Sequence, residues 1–217
     1  MLIRRQVRLI AMLVCSCMVP GSCPAQESPS MPEFRKGTVL VWEVLLQDVT
    51  REFVVRIARF TPDRLIEWED MRSQGTVLIL NRDLLEAGGY LNKKLFMPGK
   101  DTKSDHATTL WLSRKTYRTV KEKQKAQCKI DQVPGRMNYV GDGKITVEVD
   151  GSPTVLPIMI VQDDRGSEKW FLDQEDNPLM MKNTLRQYAQ TLVSITTNQP
   201  DALRWLKGKK LQRLLAE

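Results

Sequence analysis

Residues 137–161 read MNYVGDGKITVEVDGSPTVLPIMIV, and their alternation decides the fold class. Ile145, Val147 and Val149 alternate with Thr146 and Glu148, the two-residue period that sends successive side chains to opposite faces of a strand. Asp142-Gly143 precedes this run and Asp150-Gly151 follows it. Such dipeptides favour two-residue hairpin turns, because both central residues take a positive φ. The spacing predicts three antiparallel strands, Met137–Val140, Ile145–Val149 and Thr154–Val161, joined by tight turns. Pro157 cannot donate to a ladder, so its strand is expected at an edge or with a bulge there.

Upstream, Thr38–Leu46 and Glu52–Phe60 are rich in Val, Leu and Ile and form a predicted hairpin around Asp48 and Thr50. After the turn residues Thr61-Pro62-Asp63 come a third strand, Leu65–Trp68, and a fourth, Thr76–Leu80. Asn81 is placed to cap a short helix that ends at Gly88, and Ser113 to cap a second that runs to about Lys123. Lys93–Thr108, with Pro98, Gly99 and several charges, reads as a long exposed loop. Downstream, Lys169–Leu172, Leu179–Lys182 and Tyr188–Thr196 are further strands, and Pro200–Ala216 is a third, basic helix. The expected fold is mainly β with minor α: an antiparallel sheet of about ten strands, strongly curved into a half-barrel or folded onto itself.

The amino terminus sets the compartment. Arg4, Arg5 and Arg8 precede the uncharged apolar run Leu9–Val19, eleven residues long, and small residues follow to Ala25. This is the pattern of an export signal, too short for a bilayer span that needs ~20 residues. Residues 1–25 are therefore expected to be a signal peptide, 26–36 a flexible linker, 37–197 a single β-rich domain and 198–217 a basic C-terminal helix. A second cleavage pattern, Gly21-Ser22-Cys23, would place a lipid on Cys23, although Pro20 stands where a lipobox carries Leu. The expected location is periplasmic or extracellular, with no membrane-spanning helix in the processed chain. Removing the leader takes away three Arg and no acid, so the 33 basic residues become 30 against 26 acidic ones, a net charge of +4.

Processing at Ala25 also leaves Cys128 as the single thiol, expected as a small buried strand residue; a covalent dimer through it would need an exposed side chain. His106 is the only histidine. A Ser-His-Asp hydrolase would have to use it, yet Ser104 and Asp105 are its neighbours in an extended loop and no Gly-x-Ser-x-Gly occurs. The acidic run Asp173–Pro178 has the alternating oxygens of a calcium loop, but Pro178 takes the place of the turn glycine. Asp163 with Asp164, and Glu67 with Glu69 around Trp68, are the carboxylate pairs that an envelope-polymer hydrolase could use. No catalytic, cofactor-binding or metal-ligating residue is assigned on these grounds, and no cofactor is implied.

Charge gives one direction. Arg114, Lys115, Arg118, Lys121, Lys123, Lys125 and Lys129 lie within sixteen residues against Glu122 alone, and Arg204, Lys207, Lys209, Lys210 and Arg213 load the last helix. For an exported chain these suggest a lipid or anionic envelope surface, not nucleic acid.

Gly37-Thr38, Ile66-Glu67-Trp68, Gly75-Thr76-Val77, Trp111-Leu112-Ser113, Leu172-Asp173 and Asn177-Pro178-Leu179 resemble a group of exported bacterial proteins of uncharacterised function, over most of Gly37–Thr197. The resemblance implies a shared fold and supplies no active-site residues. The leading expectation is an exported, non-enzymatic envelope protein whose sheet binds an apolar or amphiphilic ligand. A secreted hydrolase using carboxylates and a structural envelope adaptor are the alternatives. An apolar concavity of ~300 to 1,000 Å³ would favour the first.

Overall fold

A computed structural model describes residues 31–90 and 93–197. Residues 1–25, the first five residues of the expected linker (26–30) and the expected helix Pro200–Ala216 lie outside the described residues. In chain order the elements are β1 (Val39–Leu46), β2 (Val49–Arg59), β3 (Arg64–Glu69), β4 (Gln74–Ile79), α1 (Asn81–Glu86) and β5 (Gly89–Tyr90). A 3-10 turn (Lys93–Leu95), β6 (Asp101–Lys103), β7 (Ala107–Thr108) and α2 (Arg114–Lys123) follow. β8 (Lys125–Ile130), β9 (Val133–Val149), β10 (Ser152–Asp163), β11 (Glu168–Leu172), β12 (Met180–Leu185) and β13 (Tyr188–Thr196) complete the described chain.

The protein is mainly β, and its strands form one large curved sheet in the order β6-β4-β3-β2-β1-β13-β12-β11-β10-β9-β8-β5-β7. Apart from a two-residue parallel contact of β13 with β9, the long strands pair antiparallel, in keeping with their alternation. The sheet is mixed, however, because the short β5, β6 and β7 add parallel pairings that no periodicity announces.

Curvature closes one end. β13 pairs with β12 and β1, and its last residues also pair with β9, Ser194 against Glu148 and Ile195 against Val149. The Asp150-Gly151 turn sits at this junction with φ of 49° and 83°, so both central residues occupy the left-handed region as a two-residue turn demands. Asp150 ties it down: its amide donates to Ile195 O at 2.9 Å, and its carboxylate accepts from the Thr197 amide at 2.7 Å. At the opposite end the turns at Gln47-Asp48 and Asp131-Gln132 also have positive φ at both positions.

The second expected turn is absent. Asp142 and Gly143 lie inside the 17-residue β9, paired with Met159 and Ile158 of β10. A bulge at Tyr139–Gly141 takes up Val140 instead, bending the strand without reversing it. Pro157 is likewise on an interior strand, and the β9 bulge lies opposite Ile160/Val161, not at the proline. The β10–β11 pairing starts at Ile158, and Pro157 O accepts from the Asp173 amide at 3.0 Å. The missing N–H points to that same side, where β11 has already ended.

Two further expectations change. Lys93–Thr108 folds back onto the sheet: Leu95, Ser104 and Thr108 are buried, and β6 pairs with β4. Order also begins before Gly37, since Phe34 is buried and stacks on Phe60 with ring centroids 6.2 Å apart. α1 starts at Asn81 itself with Leu80 as its N-cap. α2 is capped by Ser113, whose Oγ accepts from the Thr116 amide at 3.2 Å, and it buries Thr116, Tyr117 and Val120.

The core lies on the concave side and is built around Trp42 and Trp111, both fully buried. Each indole N–H is satisfied, Trp42 by Met180 O at 3.1 Å and Trp111 by Asn177 Oδ1 at 2.7 Å. Cys128 is part of this core on β8, and burial pushes its thiol pKa up to about 11. It is a packed hydrophobe there, not an exposed coupling site.

Candidate functional site

The curved sheet does not fill its own concavity. A cavity of about 510 Å³ remains, opening at the end away from Asp150-Gly151. Its lining divides by chemistry. Val44, Phe53, Trp68, Phe96, Leu110, Ile130 and Leu185 supply an apolar wall, and Asp163, Ser167, Lys169, Asn183, Tyr188 and Gln190 a polar one.

Alternation in β1–β3 and the fold-back of the 3-10 turn build the apolar wall. Phe53 stands between Trp42 and Trp68, 6.0 and 6.1 Å from them, and Phe96 meets Phe53 and Trp68 edge-on at 5.4 and 5.5 Å. Edge-to-face packing of this kind fixes ring orientation as well as burying area. Gly75, opposite Trp68 in the β3–β4 ladder, makes it fit. A Cβ there would stand 2.9 Å from Trp68 Nε1 and about as close to Met97 O and Lys100 O, so any side chain would push the indole or the loop aside.

The polar wall is built on a buried ion pair. Lys169 Nζ lies 2.5 Å from Asp163 Oδ2 and 2.6 Å from Ser167 Oγ, with both charged side chains about 1 % exposed. Asp163 Oδ1 accepts from the Arg165 and Ser167 amides, both at 2.9 Å, so the carboxylate also shapes the β10–β11 turn. Ser167 Oγ in turn bonds Asn183 Oδ1 at 2.9 Å. Burial pulls the Lys169 pKa below its ordinary value, with Asp163 opposing that shift. An ammonium has three donors, and Asp163 and Ser167 occupy two of them. Nearby, Tyr188 donates to Gln190 Oε1 at 2.6 Å. Trp68 Nε1 and Thr109 Oγ1, both in residues that line the cavity, are buried polar atoms without a hydrogen-bond partner among the described residues. Buried polar groups normally have one, and water or a polar ligand atom would supply it.

The residues singled out from the sequence fall in other places. Ser104 is buried, donates to Asp83 and accepts from the Leu80 amide, whereas His106 is exposed with Asp105 3.7 Å away, so the three do not converge. Glu67 is paired with Arg56, while Trp68 points to the other side of β3 into the core. Asp163 and Asp164 part company: the first is in the buried pair, the second bonds Arg136 at 3.2 Å on the surface.

The basic cluster and the acidic loop turn out to be partners. Arg114 meets Asp176 at 2.5 Å, Arg118 meets Glu175 at 2.5 Å, and Lys121 reaches Asp173 at 2.9 Å and Asp142 at 2.7 Å. Lys115 pairs with Glu86 on α1 at 3.2 Å. Four of the seven cations are thereby balanced inside the protein. Asn177, at the end of the same loop, is the residue that holds Trp111.

This contact has a pH signature. Hydrogen bonds from Lys121 and Arg118 hold the Asp142 and Glu175 carboxyls below their ordinary pKa. A carboxylate with a depressed folded pKa contributes stability that is complete above its unfolded value, and it loses that contribution as pH falls through the folded one. Below about pH 4 the loop 173–177 should exchange its amides faster before the sheet opens, and high salt at pH 7 should act in the same direction. Hydrogen exchange resolved by segment checks this; equal protection at pH 3 and pH 7 would contradict it.

The site residues that sequence reasoning passes over are Lys169, Ser167, Asn183 and Gln190. One signal existed: Lys169 and Phe171 share a face of β11, and both are buried. No known family, curated relative or solved structure matches the chain.

Proposed function

We propose that this chain is an exported, β-rich binding protein whose cavity takes one amphiphilic molecule. The apolar part lies along Phe53, Trp68, Phe96, Leu110 and Ile130, and the polar head reaches toward Lys169, Ser167 and Gln190. The observation that carries this is a concavity of about 510 Å³ with aromatic walls on one side and a buried, hydrogen-bonded ion pair on the other. Small-molecule sites have this size and this ratio of apolar wall to few placed polar groups. The third donor of the Lys169 ammonium favours a head with acceptor oxygens, such as a carboxylate or phosphate.

Binding fits the lining better than acid/base chemistry on an envelope polymer. Asp70 accepts from the Arg72 and Ser73 amides, Asp131 from Lys93, and Asp163 from Lys169 and two amides. Carboxylates held in this way are spent on structure. The basic leader with its eleven-residue apolar run supports export to the periplasm or beyond, with lipidation at Cys23 as the less favoured processing route. No described helix is long and apolar enough to cross a membrane.

A fluorescent fatty acid, 11-(dansylamino)undecanoic acid, tests the reading. It should bind with a blue shift and be displaced by unlabelled long-chain fatty acid or lysophospholipid. Val44→Trp, which fills the apolar side, should weaken that binding at least tenfold while the thermal midpoint stays within a few degrees. Equal binding by Val44→Trp, or no saturable binding at all, would overturn it.

A further inference from the structure

The mouth of the cavity is a ring of turns. The β1–β2, β3–β4, β8–β9, β10–β11 and β12–β13 turns all lie at the end of the sheet away from the β9–β13 closure, and the loop after the 3-10 turn completes the ring. Hydrogen bonds between neighbours hold it. Gln47 donates to Gln187 O at 3.3 Å, Gly99 to Gln74 O at 2.7 Å, the Lys93 amide to Asp131 Oδ1 at 3.1 Å, and Arg165 Nη2 to Ile130 O at 3.1 Å.

Exposed large apolar side chains concentrate on this rim. Leu45, Leu46 and Val49 flank the first turn, Met71 lies in the second, Met97 follows the 3-10 turn, and Val133 begins β9. Val49, Met71 and Val133 are each about half exposed, at 48, 50 and 51 %. They sit on separate turns with charged residues between them, so the relief is a crown of apolar points and not the flat, continuous patch that two proteins bury against each other.

The charges between the points are not balanced in their effect. Of the rim acids, Asp70 is engaged by two amides, Asp131 by Lys93 and Asp164 by Arg136, which leaves Asp48 in the β1–β2 turn exposed and without an ion pair among the described residues. Among the described residues, Arg51, Arg72 and Arg186 on the same rim make no ion pair. Apolar tips interleaved with free guanidinium groups match the boundary between acyl chains and anionic headgroups. The rim is also continuous with the cavity through Val44, Phe96 and Leu185, so a bilayer touching it would face the apolar wall directly.

From this we infer that the rim docks on an anionic phospholipid bilayer, with its apolar tips entering the headgroup region and the cavity mouth facing the membrane. Docking extends the cavity reading without requiring it. A chain that takes no fatty-acid probe can still engage vesicles through this rim, so the two ideas fail separately.

Hydrogen exchange on the full chain, with and without vesicles of phosphatidylglycerol and phosphatidylcholine, tests it where other membrane-binding segments cannot mimic the result. Amides of residues 45–49, 70–73 and 131–133 should slow at least fivefold on the vesicles, and those of 150–152 at the closed end should not change. The triple variant Leu46→Ser, Met71→Ser, Val133→Ser should lose the rim protection and keep the probe affinity of the cavity. Unprotected rim turns on a vesicle-bound chain would overturn the inference. So would protection confined to residues 114–129, protection of equal size on pure phosphatidylcholine, or rim protection without vesicles that rises with protein concentration, which would mean a second copy of the chain.

Discussion

Asp163→Ala is expected to lower the free energy of unfolding by about 3–5 kcal/mol, the usual cost of removing one partner from a buried ion pair. The side chain accepts three hydrogen bonds in one place, from two turn amides on Oδ1 and from the Lys169 ammonium on Oδ2, and Ser167 and Asn183 continue the chain from Lys169. Truncation leaves Lys169 as an unpaired cation about 1 % exposed. A loss of that size is a large part of the ~5–15 kcal/mol that typically separates folded from unfolded states. The double variant Asp163→Ala, Lys169→Met removes both charges and should recover most of the loss, because apolar replacement of a whole buried pair is often close to neutral. Urea unfolding of the two single variants and the double variant measures the coupling. A cost below about 1 kcal/mol for Asp163→Ala would mean that the pair is solvated and that the polar wall is not a buried anchor.

Trp111→Ala is the second large effect, at about 3–5 kcal/mol. Trp111 is fully buried, pairs with Leu179 in an isolated bridge, and holds Asn177 through its indole N–H. The guanidinium of Arg64 lies over its ring at 4.7 Å and over the Phe60 ring at 4.6 Å. Arg64 is nearly inaccessible, and burial, helped by Arg114, lowers its pKa to about 9. Truncation therefore opens a cavity, removes the Asn177 Oδ1 partner and takes away one of two aromatic rings near a buried cation. Trp111→Phe keeps an aromatic ring but loses the hydrogen bond and part of the indole volume, so about 1–3 kcal/mol is expected for it. Thermal unfolding of both variants checks the order; equal effects would mean that an aromatic ring at this position contributes nothing beyond the indole's own hydrogen bond and shape.

Much of the fold was legible because antiparallel strands advertise themselves one at a time. Ile145 to Val149, Tyr188 to Thr196 and the Asp150-Gly151 turn are each read from local alternation and local turn chemistry, and each lies where that reading puts it. Asp142-Gly143 misleads because a dipeptide that permits a turn also fits a regular strand, and the long apolar β10 beside it offers a continuous partner. The short parallel β5, β6 and β7 are made by tertiary contact alone, so Lys93–Thr108 carries no period to detect. The site was harder still. Cations on α2 and acids at 173–176 look like two separate surfaces in sequence, and only the fold shows them neutralising each other. Lys169 stands opposite Val161 in the β10–β11 ladder, and its ion pair with Asp163, two residues further along β10, exists only once the two strands are paired.

The most direct measurement on the cavity is mass spectrometry of the purified chain, first intact under native conditions and then after organic extraction. Roughly one amphiphile per chain, lost in Val44→Trp and retained in the rim variant, is the result predicted here. A ligand-free chain that also fails to take up added fatty acid or lysophospholipid would contradict the binding function and leave a curved sheet whose hollow is only structural.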